Sequence, residues 1–316
     1  TQCQCRPGIM AEMNSERNVY LSGDLVPESQ ANISIFDSAV MLGDCVTEST
    51  RTFAHNPFKL DEHITRLYKS LKVARIDPGL SPAEMKTVTL ELLQQNLQTI
   101  GQGEDFWVVH NISRGLAVAG PDPTVAQSGA TVIIHNSPLD LTGWAKFYAQ
   151  GCHAVTPMSR AIPSQSMDAR IKNRSRMHYT LAEVEVKLVD QDAQSVLLDI
   201  HGNVSENKGG NVFIISEGVL KTPSTSNCLA GVSRATVLAL ARTLDVPCEE
   251  MSLPPYDLYT ADELFFTSTP YCIMPATKFN GLPVGNGEVG VITRQILVAW
   301  SALVGIDIQL QAESQL

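Results

Sequence analysis

The sequence predicts an α+β protein with two domains. Strand-like and helix-like patterns follow one another without the strict strand–helix–strand rhythm of a doubly wound sheet. A chain of 316 residues is long for one hydrophobic core and sufficient for two. The pattern breaks at Ser137-Pro138 and restarts a few residues later. We therefore expect a disordered tail at residues 1–12, a smaller domain at 13–136, a linker at 137–143 and a larger domain at 144–316.

The smaller domain is predicted from local signals of turns and helix ends. Gly23-Asp24 indicates a hairpin between two short strands. Ser81 is the expected cap of a helix, because Pro82 suits the first helical position and Glu84 completes a capping box. The predicted strands are two short ones within 20–35 and those at 46–53, 106–112 and 130–135, and the predicted helices are at 60–74 and 81–98.

The larger domain also mixes the sequence periodicities of strands and of helices. Residues 216–218, Ser-Glu-Gly, predict a tight hairpin turn, and Val237, Leu240 and Leu244 share one face of a helix. The predicted strands are at 154–158, 195–200, 211–215, 219–222 and 263–267, and the predicted helices are at 179–189, 233–244 and 292–303.

Composition argues against several classes of protein. The net charge of −10 does not suit a nucleic-acid binder, which needs a basic face. No run reaches the roughly 18 apolar residues that a membrane span needs. The seven cysteines are scattered, which argues against a disulfide framework, and Cys3-x-Cys5 has the wrong spacing for a zinc knuckle. We expect a cytoplasmic protein without a metal ion.

Lys172 is the candidate catalytic residue. Arg170, Arg174 and Arg176 surround it, between a coil and a predicted helix. Positive neighbours and partial burial lower the pKa of a lysine, so that its free amine is available near neutral pH. A lone lysine in such a run is more often part of a solvated basic patch, so further residues are needed to support the role.

Glu206 is the second candidate, after the turn at 201–203. A carboxylate beside a pyridine nitrogen keeps that nitrogen protonated, and the ring then stores the electron pair that a departing α-proton releases. A lysine that forms a Schiff base and such a carboxylate are the two groups that pyridoxal phosphate chemistry needs most.

A candidate anion site lies where the helix at 233–244 begins. Gly231 permits close backbone approach, and the free N–H groups of Val232 and Ser233 point beyond the helix N-terminus. Further candidate phosphate ligands are Ser268, Thr269 and Arg66.

Taken together, these motifs resemble the fold-type IV pyridoxal phosphate enzymes. That group contains branched-chain aminotransferases, D-amino acid aminotransferases, (R)-selective amine transaminases and aminodeoxychorismate lyases. The resemblance extends from about Val19 to Ile308. It is carried by Ser34-Ile-Phe-Asp37 with Gly43-Asp44, His63-x-x-Arg66-Leu67, Lys172 before Leu181-Ala-Glu183, Glu206 with Asn211-Val-Phe213, Gly231-Val-Ser-Arg234 and Thr267-Ser-Thr269.

The resemblance implies a role for each motif. Lys172 would carry the cofactor as a Schiff base and move the proton, and Glu206 would pair with the pyridine nitrogen. The cofactor would lie between the two domains of a homodimer whose neighbouring subunit lends a loop to the site. The implied phosphate ligands are Arg66, Gly231, Val232, Ser233, Ser268 and Thr269.

The substrate-binding positions conflict with one another. D-amino acid aminotransferases have a tyrosine where this chain has Thr47, and their carboxylate-binding pair is replaced by Ala119 and Pro121. Branched-chain enzymes carry an arginine at the position of Arg51, but their second arginine falls near Val109.

A 2-oxo acid brings a carboxylate that needs a fork of donors. We predict that Arg51 provides this fork, with Arg174 and Arg176 behind it.

We therefore expect a transaminase that moves an amino group from an amino acid or primary amine to a 2-oxo acid by a ping-pong cycle. A lyase that releases pyruvate is the alternative within the same group of enzymes. A catalytically idle phosphate-ligand binding protein would have no chemical need for both Lys172 and Glu206.

Overall fold

The computed structural model describes residues 16–117 and 129–316. Within these ranges the strands form two sheets, one of six strands and one of eight. The first sheet uses strands up to Pro138, and the second uses strands from Cys152 onward. Helices cover both sheets, so the predicted α+β fold is confirmed.

The six-stranded sheet is antiparallel throughout, in the order β2-β1-β6-β5-β3-β4. Its strands are β1 (Asn18–Leu21), β2 (Asp24–Pro27), β3 (Cys45–Phe53), β4 (Asn56–Pro57), β5 (Phe106–Ser113) and β6 (Thr131–Pro138). The helices of this part are α1 (Ser38–Met41), α2 (Leu60–Ala74) and α3 (Pro82–Asn96). Leu67, Leu71 and Met85 from α2 and α3 pack on one face of the sheet against Val46 and Ile112.

The eight-stranded sheet is mixed, in the order β11-β10-β9-β12-β13-β7-β8 with β14 beside β13. Its strands are β7 (Cys152–Val155), β8 (Gln194–Ser195), β9 (Asn211–Ser216), β10 (Val219–Pro223), β11 (Cys248–Met251), β12 (Glu263–Ser268), β13 (Cys272–Phe279) and β14 (Leu282–Pro283). The helices of this part are α4 (Thr142–Gln150), α5 (Met177–Lys187), α6 (Val232–Thr243), α7 (Pro255–Tyr259), α8 (Val291–Val304) and α9 (Ile308–Glu313). Its core includes Phe213, Phe265 and Trp300.

Local sequence signals predicted several elements correctly. Helix α2 has the predicted bounds, and the capping box of α3 is present, with Ser81 Oγ accepting from the Glu84 N–H and the Glu84 side chain accepting from the Ser81 N–H. The hairpin turn of β1 and β2 contains Gly23 at φ 113°, a conformation that glycine adopts readily.

Several elements were missed, among them α4 and β13, and one predicted strand is shorter than expected. Helix α4 has no side-chain cap at Leu141, and β13 contains Pro275, so neither gives its usual signal. The predicted strand at 195–200 reduces to β8 and isolated bridges at Leu198, because the chain there turns toward Glu206.

The connection between β6 and α4 lies within the predicted linker, residues 137–143. Strand β6 continues to Pro138 and α4 begins at Thr142. We propose that the two domains divide at residues 139–141. In the described ranges, no helix has the length and apolar character needed to cross a membrane.

Candidate active site

The segment that carries Lys172 docks on the outer edge of β3. The Thr47 N–H donates to the Lys172 carbonyl at 2.8 Å, and the Arg174 N–H donates to the Cys45 carbonyl at 2.8 Å. An antiparallel bridge between Val46 and Asn173 lies between these two bonds. Lys172 therefore belongs to the second half of the chain in sequence but is fixed by backbone bonds to the six-stranded sheet.

Lys172 lines a cavity of about 880 Å³ between the two sheets. This volume lies within the range that holds small ligands, about 300–1,000 Å³. Thr47, Trp107 and Val109 line one wall. The opposite wall contains Glu206, Gly231, Val232, Ser233, Ser268 and Thr269, so the cavity brings the predicted lysine, carboxylate and anion site together.

The electrostatics of the cavity shift the Lys172 amine toward its neutral form. Burial and the neighbouring charge of Arg66 lower the pKa of Lys172 to about 8, although Glu48 and Glu206 act in the opposite direction. At neutral pH about one tenth of the amine is then unprotonated, far more than for an ordinary lysine with a pKa of about 10.4. An amine of this kind can attack a carbonyl group and exchange a proton.

Glu206 is buried and held from two sides. The Tyr179 hydroxyl donates to Oε1, and the Leu229 N–H donates to Oε2 at 3.0 Å. Burial raises the pKa of Glu206, and the donors and nearby cations only partly offset this. The Arg176 guanidinium stacks on the Tyr179 ring at 3.9 Å and keeps that phenol in place. A cationic N–H in the cavity would complete the partners of this carboxylate.

The predicted anion cradle lies at the beginning of α6. Gly231 is the N-cap, and the N–H groups that follow it have no partner within the helix. A Cβ atom at Gly231 would lie 2.2 Å from Asn211 Oδ1, so only glycine fits this approach. Ser268 Oγ donates to the Gly209 carbonyl at 2.5 Å, and Thr269 Oγ1 donates to the Ser49 carbonyl at 3.4 Å. Both residues line the cavity.

Arg66 is fixed beside this cradle by a buried carboxylate. Its Nε and Nη2 donate to Glu48 at 2.8 and 2.7 Å, and its Nη1 donates to the Ala230 carbonyl at 3.1 Å. His63 Nδ1 lies 3.0 Å from Glu48 Oε1. Burial alone would raise the pKa of Glu48, but Arg66 and His63 hold it well below its usual value. The sequence analysis did not predict this role of Glu48. The available signal was a charged residue within an otherwise buried strand.

The guanidinium of Arg51, the predicted substrate-binding arginine, is engaged by other residues of the chain. Arg51 is 1% exposed and does not line the cavity. Its Nη1 donates to the Pro270 carbonyl at 2.9 Å and its Nη2 to Gln311 Oε1 at 2.5 Å. It shares a strand face with Thr47 and Ser49, but that face continues past the cavity toward α9.

The other predicted substrate positions do reach the cavity. Thr47, Val109 and Arg174 line it, as does Trp144 of α4, which sequence reasoning missed. Ala119, Pro121, Cys3 and Cys5 lie outside the described residues. In the ranges 16–117 and 129–316, no three His, Cys, Asp or Glu side chains converge to hold a metal ion.

The cavity fits a cofactor with an aldehyde, a pyridine nitrogen and a phosphate group. The partly neutral amine of Lys172, the buried carboxylate of Glu206 and the cradle at Gly231 match these three groups in turn. The buried Tyr271 side chain also borders this cavity.

Comparison with known proteins identifies the family. The family model of the class IV amino-transferases matches residues 45–279. The chain belongs to the class IV aminotransferases.

Individual relatives support this class IV aminotransferase assignment. A Methanocaldococcus jannaschii protein, provisionally named a branched-chain-amino-acid aminotransferase, is 34% identical over 279 residues, which cover 88% of this chain and 93% of that protein. The D-alanine aminotransferase of Bacillus licheniformis is 30% identical over 286 residues, 89% of this chain and 95% of that protein. A crystal structure of the T.th. branched-chain amino acid aminotransferase, complexed with N-(5'-phosphopyridoxyl)-L-glutamate, superposes with a TM-score of 0.81 and 26% identity, over 92% of this chain and 95% of that one.

Membership of the class IV aminotransferases confirms the predicted reaction type. The protein is an aminotransferase that works with pyridoxal phosphate. The alternative of a pyruvate-releasing lyase is not favoured.

Proposed function

We propose that this aminotransferase exchanges the amino group between α-amino acids with apolar side chains and a 2-oxo acid. The observation that carries the proposal is one cavity that joins Lys172, Glu206 and the N-terminus of α6. The wall beside Lys172 adds Trp107, Val109 and other apolar groups, which suit an apolar substrate side chain. The names of the branched-chain relatives support the same class of donor.

Different residues of the site bind the cofactor and transfer the proton. Bound pyridoxal phosphate supplies an electron sink for the pair released at the substrate α-carbon. Lys172 Nζ takes the α-proton and returns it, because its lowered pKa keeps part of the amine neutral. Glu206 would supply a negative charge to the ring nitrogen, and the α6 N–H groups together with Arg66 would hold the phosphate.

A donor panel tests this proposal. Both enantiomers of leucine, valine, alanine and serine are assayed with pyruvate and with 2-oxoglutarate as acceptors. We expect kcat/KM for leucine or valine to exceed that for alanine and serine by about tenfold or more, because the added methylene groups contribute about 0.8 kcal/mol each when buried. Equal or better rates with serine would contradict the apolar class, and pyruvate release without any acceptor would contradict transamination.

We propose further that the protein is a cytoplasmic homodimer. Helix α5 exposes an apolar stripe, formed by Met177, Leu181, Val184 and Leu188, at intervals of four, three and four residues. These side chains are 53–84% exposed, which is unusual for such a row on a solvated surface. Ser175 Oγ donates to the Gly43 carbonyl at 2.7 Å, so the start of α5 lies beside the segment that carries the exposed apolar residues Phe36, Val40, Met41 and Leu42.

Replacement of the stripe is expected to separate the subunits. The double variant Leu181→Glu with Val184→Glu places two buried charges in the proposed interface, and we expect light scattering to report the mass of one chain instead of two. The matched control is Val298→Glu, an exposed apolar position on α8 and outside the stripe, which should remain dimeric. A monomeric wild-type protein would contradict the proposal.

A further inference from the structure

Arg174 projects into the cavity from the same side of the chain as Lys172. The bridge between Val46 and Asn173 makes residues 172–174 locally extended, and side chains two positions apart in such a segment point to one face. Both Lys172 and Arg174 line the cavity. Two extended residues span about 6.6 Å, a distance that the long arginine side chain can cover toward a substrate held at Lys172.

The guanidinium of Arg174, an exposed residue, has no protein partner among the described residues. In the ranges 16–117 and 129–316, its side chain makes no hydrogen bond and no ion pair, and only its backbone N–H is engaged. The other charged side chains of the wall, apart from Lys172, already have protein partners. Arg66 pairs with Glu48, Arg176 donates to the Lys208 carbonyl, and Lys187 donates to the Gln191 carbonyl. Lys208 lies near Glu183, Asp168 pairs with Arg170, and Glu206 accepts from Tyr179.

The wall beside Arg174 offers no other fork for an anion among the described residues. Thr47 Oγ1 already donates to the His110 carbonyl at 3.0 Å, and Val109 is apolar. Arg51, which shares the strand face of Thr47, is committed to Pro270 and Gln311. A substrate carboxylate in this half of the cavity therefore has one planar cation of the described chain available to it.

We propose that Arg174 binds the carboxylate of the amino acid and 2-oxo acid substrates. A guanidinium presents two parallel N–H groups to a carboxylate, which gives both affinity and orientation. The inference rests on the proposed function and adds the residue that determines recognition of acids. Arg174 binds either the carboxylate on the α-carbon or the distal carboxylate of a dicarboxylic acceptor. The two cases predict that different ligands lose affinity when Arg174 is replaced.

The test measures ligand binding by the holoenzyme as well as turnover. The ligands are 4-methylvalerate, glutarate and the neutral 4-methylpentanamide, titrated into wild type, Arg174→Ala, Arg174→Lys and the control Arg170→Ala by the change in cofactor absorbance. Arg170 is exposed, pairs with Asp168 and lies outside the cavity wall, so its removal changes the net charge equally. Arg174→Lys keeps the positive charge but not the two parallel N–H groups of the guanidinium. It takes the place of Arg174→Ala in the test if that variant folds poorly.

We expect Arg174→Ala to weaken carboxylate binding by about 10- to 100-fold, a typical loss for a charge-assisted pair, and to raise KM more than it lowers kcat. Binding of the neutral amide should stay within about twofold. Loss of both acids indicates the α-carboxylate, and loss of glutarate alone indicates the distal one. Unchanged binding of both acids in Arg174→Ala would overturn the inference. A wild-type enzyme that transfers no amino group would instead overturn the proposed function.

Discussion

Lys172→Ala is expected to lower transaminase turnover by about 10⁴-fold or more. The substitution removes the amine that attaches the cofactor and also the base that moves the α-proton, and proton transfer alone contributes about 10² to 10⁴ in rate. The cradle at the N-terminus of α6 and Arg66 remain, so pyridoxal phosphate should still bind. Steady-state kinetics with leucine and 2-oxoglutarate measure the loss, and dialysis followed by absorbance measures retained cofactor.

Lys86→Ala is the matched control for this variant. Lys86 is a partly exposed lysine of α3 that pairs with Asp61 and does not line the cavity, so its loss should leave turnover unchanged. Turnover of Lys172→Ala within tenfold of wild type would show that another group performs the proton transfer.

Glu206→Gln is expected to lower kcat by about 10²- to 10³-fold. The amide keeps the shape of the side chain and an oxygen for the Leu229 N–H, but it removes the negative charge that faces the ring nitrogen. A preorganised charge of this kind contributes about 3–4 kcal/mol to the transition state. The Kd for the cofactor should change far less, because the phosphate end of the cavity is untouched.

The kinetic isotope effect separates this explanation from a general loss of structure. With an α-deuterated donor, the effect on kcat should be larger in Glu206→Gln than in wild type, since proton abstraction becomes the slow step. A folded Glu206→Gln enzyme with wild-type turnover would exclude Glu206 as the partner of the ring nitrogen.

The parts of the structure that follow from neighbouring residues were predictable. The bounds of α2 follow from its apolar spacing, and the start of α3 follows from Ser81, Pro82 and Glu84. The cradle was predictable for the same reason, because Gly231 and the helix behind it are adjacent in sequence. The joint order of Lys172, Glu206 and this cradle then indicated the cofactor.

The parts that depend on distant contacts were not predictable. Arg51 and its partner Gln311 are 260 positions apart, so no local pattern reveals that the guanidinium is already occupied. The ion pair between Glu48 and Arg66 joins a strand to a helix and depends on the packing of α2 against β3. The edge pairing of residues 172–174 with β3, which turns Arg174 toward the cavity, also exists only in the folded chain.

Reduction of the purified wild-type holoenzyme with borohydride, followed by proteolysis and mass spectrometry, tests the central claim most directly. We expect the reduced pyridoxyl group on the peptide that contains Lys172 and on no other lysine. A modified peptide that lacks Lys172, or the absence of any modified peptide from a protein loaded with pyridoxal phosphate, would contradict it.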